Sequence, residues 1–574
     1  MWKLLRFMKK YLKEGICAPV FKVLEVCFEL IVPTVVAAVI DKGIALNDRP
    51  YILKMCGVLV LLAVVGLACT LVAQFFAAKA SVGFCTDIRS ALFKHISFLS
   101  YSQLDRVGSS TLITRLTGDL NQVQTGVNLT LRLALRSPFV VFGAMLMAFI
   151  VDSKAAVIFA VVIPILAVVV FAIMLAAIPM YRSVQQALDR LLGKTVESLR
   201  GVRVIRAFCK EKSDISEFQE KNSLLTGIQL KVGRLSSLLN PLTIVIINIA
   251  IALLIYKGAV RVDAGELSKG QVVALYNYMT QILIELIKLA NLIINITKSI
   301  ACGNRIQAVF ETEPEIVSGN IENINNSDVA IELNDVIFSY NETADPALEK
   351  ISLKIKAGDT VGFIGATGSG KSTLINLLPR FYDVTSGSVC FFGRDVKSYN
   401  LNTLRNAFGI VPQKAVLFKG SIRDNMKFSA PEASDEEIFE ALRVAQAEEI
   451  VKSKDSGLDF IVEQEGKNLS GGQRQRLTIA RALVRKPKIL ILDDSSSALD
   501  YATDAALRSS LKNLEFPVTV IIVSQRASAL RHADNIFVLD DGKIIASGTD
   551  EELNKNCDIY REIRKTQFEE KGEK

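Results

Sequence analysis

Two observations predict a multi-domain protein in which a six-helix, all-α transmembrane domain is followed by an α/β domain with a phosphate-binding loop. The first is a set of long uncharged runs confined to the first half of the chain. The second is a glycine-rich loop between a strand-like and a helical run in the second half. Of the 574 residues, 50% are hydrophobic and 22% charged. These are ordinary fractions, but a mean hydropathy of +0.34 over this length means the apolar residues are concentrated in runs. That excludes a disordered, collagen-like or disulfide-stapled chain. The charge balance, 67 basic against 59 acidic residues or +8, is too mild to argue for nucleic acid. Aromatic content of 7% with a single Trp, Trp2, offers no base-stacking surface. Nine cysteines without a CxxC pair, and histidine only at His95 and His532, speak against zinc and against a disulfide framework.

Met55–Ala78, Ala155–Met180 and Leu235–Tyr256 contain no charged residue. At 1.5 Å per residue each exceeds the roughly 30 Å hydrocarbon core. Weaker candidates at 16–40, 134–151 and 270–297 bring the count to six. Residues 1–13 are basic and amphipathic, which predicts a helix lying on the membrane surface rather than a cleaved signal. Connections after the first, third and fifth spans are short. Those after the second and fourth, 79–133 and 181–234, are long, and the latter is rich in Lys and Arg. The positive-inside rule therefore puts both long loops and both termini in the cytoplasm. Helical periodicity in both loops predicts spans that continue as helices below the membrane. The transmembrane domain is expected over 14–305.

Ionisable residues inside spans carry functional suspicion. Glu25 and Glu29, four apart on one face, either pair with basic neighbours near the cytoplasmic boundary or contact substrate. Glu285 lies mid-span with Lys288 as an intrahelical partner. Asn277, Gln281 and Asn295 in the same span suggest that it lines a cavity.

Residues 306–330 read as a linker, acidic and Asn-rich from 311. From Ile331 to Lys574, short β-rich runs alternate with helical ones, the pattern of a largely parallel sheet. Gly365-Ala366-Thr367-Gly368-Ser369-Gly370-Lys371-Ser372-Thr373 follows the strand-like run Thr360–Ile364 and opens a helical one. In that context glycines let backbone N–H groups approach phosphates, and the helix N-terminus adds partial positive charge. Lys371 reaches the outer phosphates and the Ser372 hydroxyl ligates Mg²⁺. A second apolar run, Ile489–Leu492, ends in Asp493 and Asp494. A carboxylate there, beside a phosphate loop, belongs on the Mg²⁺ shell.

Between these stations lies Asn468-Leu469-Ser470-Gly471-Gly472-Gln473, which general phosphate-loop physics does not demand. The run Leu469–Gln473 resembles the signature of the ABC transporter superfamily. Other stations match in order. Tyr340 resembles the aromatic that stacks on adenine, and Gln413 in Val-Pro-Gln resembles the Q-loop, which also contributes to the metal shell. Ser497-Ala-Leu-Asp500 resembles the D-loop. The membrane half resembles the exporter-type (type IV) fold, including Ile88–Phe93 and Gly201–Phe208. The resemblance covers essentially the whole chain. It implies ATP and Mg²⁺ as cofactors, and a half-transporter that must dimerise, with ATP between one chain's phosphate loop and the other's signature. It also implies that substrate occupies a cavity between the membrane halves, and that loop tips near Ser109–Leu116 and Ile205–Ser216 couple the domains.

Two positions depart from the family pattern. After Asp493 the family places Glu, which polarises the attacking water; here it is Asp494, about 1.5 Å shorter in reach. Misplacement of about 1 Å can cost two orders of magnitude in rate. The switch position after Val-Ser is normally His; here it is Gln525, which cannot exchange a proton. Either change alone fits neutral drift. Together they remove the two groups that the chemistry most needs, while the signature stays intact. The expected protein is therefore the degenerate-site subunit of a heterodimeric multidrug exporter in a bacterial plasma membrane, with no nucleic-acid partner. Its expected partner has the catalytic Glu and switch His restored and a degenerate signature. A lipid or peptide exporter and a regulatory ATP-binding membrane module are the alternatives; the leader-cleaving kind of peptide exporter is not expected.

Overall fold

The computed structural model describes residues 2–341, 345–495 and 498–569. Its contacts divide the chain into two compact units, Met1–Phe98 with Gly108–Glu313, and Leu99–Val107 with Pro314–Lys574.

Among the described residues, the first unit contains six helices long and apolar enough to cross a membrane: Lys3–Ile44, Arg49–Ser97, Ser109–Val151, Ser153–Arg200, Glu211–Asp263 and Lys269–Phe310. The 49 residues of Arg49–Ser97 extend about 73 Å, more than twice a hydrocarbon core. The helical extensions expected from periodicity are thus present. The short connections are set by capping chemistry. Asp48 accepts from Tyr51 N with Pro50 in the first turn. Asp152, in extended conformation, accepts from Lys154 N. Ser268 and Gln271 form a reciprocal capping box. Each satisfies orphan amides where a helix begins.

Small residues set the packing between spans. Ala73, Ala77 and Ala80 are fully buried on the second helix. A Cβ on Gly143 would stand 2.4 Å from Leu30 Cδ1, so glycine there lets the first and third spans approach closely. Val26, Leu30, Val140, Ala144, Phe159, Tyr278 and Ile282 belong to one apolar core between these spans.

The sixth helix runs on to Phe310, into the stretch expected to be linker, and β1 begins at Val329. The second unit is built on two sheets. β1 (Val329–Phe338), β2 (Leu348–Lys356), β4 (Ser386–Phe391) and β5 (Arg394–Asp395) form an antiparallel sheet ordered β2-β1-β4-β5. The larger sheet uses β3 (Thr360–Ile364), β6 (Phe408–Val411), β9 (Ile489–Asp493), β10 (Thr519–Val523), β11 (Asn535–Asp540) and β12 (Lys543–Gly548). Its order is β12-β11-β3-β10-β9-β6, parallel except for β12. β7 (Gly420–Ser421) and β8 (Ile461–Val462) make a short separate ladder. The continuous Val/Ile/Leu runs of β9 and β10 are what a sheet buried on both faces requires.

Candidate functional site

Three neighbouring strand ends make the site. β10 lies between β3 and β9, with Val523 in register with Phe363 on one side and Asp493 on the other. Their carboxyl ends open at one edge, where open parallel sheets bind ligands. β3 leads into the glycine loop, and Gly368 and Gly370 hold φ of +88° and +93°, a region that disfavours a Cβ. At Gly370 a Cβ would also meet Leu348 Cδ2 at 2.8 Å and Ala347 O at 2.9 Å. The loop must be glycine there on both counts.

Lys371 opens the helix Lys371–Leu377 and is buried. Its Nζ donates to Gly365 O at 2.9 Å, Ala366 O at 2.6 Å and Ser369 Oγ at 3.0 Å. The loop's own oxygens thus hold the ammonium. Burial lowers its pKa against the opposing pull of Asp493 and Asp494. Ser372 Oγ donates to Asp493 Oδ2 at 3.2 Å. Burial raises the pKa of Asp493, and Asp494 adds to the rise, with Ser372 and Lys371 opposing. The site therefore holds an acid and a base whose charged forms burial disfavours.

A cavity of about 310 Å³ collects Tyr340, Thr367, Gly368, Gly370, Lys371, Ser372, Thr373, Gln413, Asp493, Asp494 and Gln525. Gly365, Ala366 and Ser369 lie behind it and hold Lys371. Ala347, Val523 and Ser524 complete the wall. Val523 and Ser524 precede Gln525 on the β10 exit and could have been inferred from it; Ala347 carries no sequence signal. The Ser372 hydroxyl, the Asp493 carboxylate and the Gln413 side chain form a hard oxygen donor set that fits Mg²⁺. Asp494 sits in the left-handed region at φ +45°, with its N–H donating to Val523 O at 2.9 Å.

Leu469, Ser470, Gly471, Gly472 and Gln473 do not line this cavity. Ser470 caps the helix Gly471–Val484, accepting from Gln473 N at 3.2 Å, while Gln473 Oε1 accepts from Ser470 N at 3.0 Å. Arg474 Nη1 holds the turn from behind by donating to Leu469 O at 2.7 Å. The segment is thus a rigid helix start, with Gly471 exposed. Of the D-loop stretch, Ser497 lies outside the described residues. Asp500 caps the helix Tyr501–Lys512, accepting from Thr503 N at 3.0 Å.

The aromatic end of the cavity extends further than the sequence suggested. Tyr340 donates to or accepts from Thr373 Oγ1 at 3.0 Å and packs edge-on against Phe338 and Tyr382, with centroids at 4.9 and 5.5 Å. Tyr382 donates to Asp105 Oδ2 at 3.0 Å. Tyr101 stands 4.7 Å from Phe381 and 6.0 Å from Tyr382. The loop segment grouped with the nucleotide unit is therefore Leu99–Val107, whereas Ser109–Leu116, the expected first coupling tip, and Ile205–Ser216 stay with the membrane unit. Capping explains the shift: a turn at Ser100, where Gln103 Oε1 accepts from Ser100 N at 3.0 Å, ends the second helix earlier than its periodicity implies.

In the membrane unit Glu285 has a partner the sequence reading passed over. Arg136 of the third span forms an ion pair with it, and Ser137 Oγ donates to it at 2.8 Å. Lys288 Nζ also donates to Glu285, at 2.8 Å. Arg136 reaches Glu29 at 2.8 Å and Glu25 at 3.8 Å, and Lys22 pairs with Glu25 at 2.5 Å. Glu25 and Glu29 thus pair with basic neighbours, though on a different helix as well as their own. The signal for Arg136 was a lone cation at the edge of an apolar run. Its meaning depends on a helix more than a hundred residues away.

Six membrane-length helices joined to a phosphate-loop domain define a multi-pass membrane protein that carries its own nucleotide-binding unit. Residues 16–286 match the family described as ABC transporter transmembrane region, and residues 348–497 match the family described as ABC transporter. The chain is 35% identical to an uncharacterized ABC transporter ATP-binding protein of Bacillus subtilis (strain 168), over 100% of this chain and 99% of that one. It is 30% identical to an ATP-dependent lipid A-core flippase of Syntrophus aciditrophicus (strain SB), over 84% of this chain and 80% of the flippase. A bacterial Atm1-family ABC exporter solved with ATP bound has the same fold, with a TM-score of 0.81, 21% identity and 98% of each chain covered. This chain belongs to the ABC transporter family and is an exporter-type half-transporter, whose ATP-binding domain implies transport coupled to ATP hydrolysis.

Proposed function

We propose that this chain is the degenerate-site subunit of a heterodimeric exporter that moves hydrophobic or amphipathic compounds out across a bacterial plasma membrane. Both termini and the nucleotide-binding domain are cytoplasmic in this reading. The observation that carries it is the composition of the cavity wall: every ATP- and Mg²⁺-holding group is present, but the two positions that act on water and the outer phosphate are Asp494 and Gln525. The signature Leu469–Gln473 stands away from that wall on a capped helix start, which suits a role at the partner's phosphates. The partner is a second half-transporter with a catalytic Glu, a switch His and a degenerate signature. Lys371, Ser372, Gln413 and Asp493 would hold MgATP here as a clamp, and the partner's site would carry the hydrolysis.

A lipid exporter is the second reading. It is favoured by the similarity to a lipid A-core flippase and by the charged cluster within the spans. Co-purification from the native cell, followed by ATPase assay of the chain alone and with whatever co-purifies, tests the assembly. The chain alone should hydrolyse ATP feebly and the pair robustly. Strong substrate-stimulated hydrolysis by the single chain contradicts the reading.

A further inference from the structure

The charges inside the spans sit at one level. Glu29, Arg136 and Glu285 lie fifteen, fifteen and sixteen residues from the short-connection ends Ile44, Val151 and Lys269, about 23 Å at 1.5 Å per residue. With a hydrocarbon core of about 30 Å, that leaves the cluster about 7 Å from the opposite boundary. The cluster thus lies inside the hydrocarbon, within about 7 Å of the level at which that leaflet's headgroups begin. The cluster holds three carboxylates and three cations, so it is neutral as a whole. Replacing such a buried network with packed apolar residues is often neutral or stabilising, so folding alone does not account for it.

The network is closed at its centre and open at two ends. The side chains of Arg136 and Glu285 are 9% and 4% exposed, whereas those of Glu29 and Lys288 are 38% and 44% exposed. Each open group uses only part of its capacity. Glu29 is bonded through one carboxylate oxygen and Lys288 through one of three protons. Both lean on the same Arg136–Glu285 pair, one from each side. Gln281, one turn along the sixth span, adds a buried Oε1 that has no donor.

We propose that Glu29 and Lys288 are the two poles of a site for a zwitterionic headgroup, an ammonium and a phosphate or carboxylate on one amphiphile, with its apolar part along the spans. The proposal rests on the exporter reading for its purpose but not for its binding chemistry. A bare anion at Lys288 would face the carboxylates of Glu285 and Glu29, and a bare cation at Glu29 would face Arg136. A zwitterion meets each pole with the opposite sign and keeps the cluster neutral. The strong selectivity for cations expected of a lone Glu285 does not arise, because two cations and a hydroxyl already hold that carboxylate.

The test is binding of phosphatidylethanolamine, phosphatidylglycerol and a cationic lipid to the full chain in detergent by native mass spectrometry, with water-soluble phosphoethanolamine as a separate arm. The wild type should prefer phosphatidylethanolamine about tenfold over either singly charged lipid. Glu29→Gln should abolish the preference over phosphatidylglycerol, and Lys288→Gln the preference over the cationic lipid. Glu29→Asp and Lys288→Arg should restore both, which separates the site from a merely structural role and covers a Gln variant that fails to fold. Phosphatidylglycerol bound more tightly than phosphatidylethanolamine by the wild type, or preferences unchanged in both Gln variants, overturns the proposal. Phosphoethanolamine competing as well as the lipid would overturn the lipid source. Selective binding without any export activity would contradict the exporter reading alone.

Discussion

At Asp493 the same burial that prepares a metal site disfavours the charged carboxylate. Its folded pKa is raised and that of Lys371 is lowered, so each charged form is disfavoured in the native state. For the acid, the native state binds more protons than the unfolded chain as pH crosses the carboxylate range, so its contribution to stability falls as pH rises. Asp493→Asn should therefore raise the melting temperature of the nucleotide-free protein at neutral pH and flatten that part of its pH dependence. The same change should weaken Mg²⁺-dependent ATP binding about 10–100-fold, the scale of losing an interaction with a charged group. Calorimetric melting with and without MgATP checks both signs. Arg136 behaves in the opposite way. Arg136→Ala strands Glu285 and Glu29 with fewer cations, and removing one partner of a buried pair costs about 3–5 kcal/mol. A loss of thermal stability much larger than for Lys288→Ala is expected in the same melting assay. The left-handed φ at Asp494 bears on the missing Glu, since Asp is among the residues that tolerate this region best. Asp494→Glu restores reach at some cost in backbone strain.

The elements most readable from sequence were those whose signal is local. The glycine loop, the β9 carboxylate and the six spans each depend on periodicity and neighbours within about 30 residues; the loop lies between β3 and a helix, β9 ends at Asp493, and six membrane-length helices are found among the described residues. What stayed hidden depends on contacts across the chain. Arg136 meets Glu285, and Tyr382 meets Asp105, only after helices and sheets have packed. Leu99–Val107 groups with the nucleotide unit, ahead of the tip expected at Ser109–Leu116, because the turn at Ser100 interrupts a helical pattern that continues on both sides. That segment carries a prediction. Tyr382 links the adenine-stacking candidate Tyr340 to Tyr101 and Asp105, so ATP should slow hydrogen exchange of amides in 99–107. Tyr382→Phe keeps the rings and removes the hydroxyl that Asp105 accepts from. It should cut that ATP-dependent protection severalfold with ATP affinity changed less than about threefold. Unchanged protection in the variant would remove Tyr382 from the connection.

For the whole molecule, the central claim is an asymmetry between two nucleotide-contacting surfaces of one chain. In the proposed pair, Lys371 and Asp493 belong to a site that holds ATP, and Ser470 and Gly472 to a surface that completes the partner's site. Lys371→Ala should slow turnover of the pair without removing it, because a weakened clamp leaves the partner's chemistry in place. Steady-state ATPase of the purified pair with Ser470→Arg, against the pair with Asp494→Asn, tests the asymmetry most directly. Removing a group that stabilises developing phosphoryl charge typically costs about 10²–10³ in rate. Ser470→Arg should therefore nearly abolish turnover, while Asp494→Asn leaves it within about twofold. A mild Ser470→Arg together with an inactive Asp494→Asn would place catalysis at this chain's own phosphates and contradict the account.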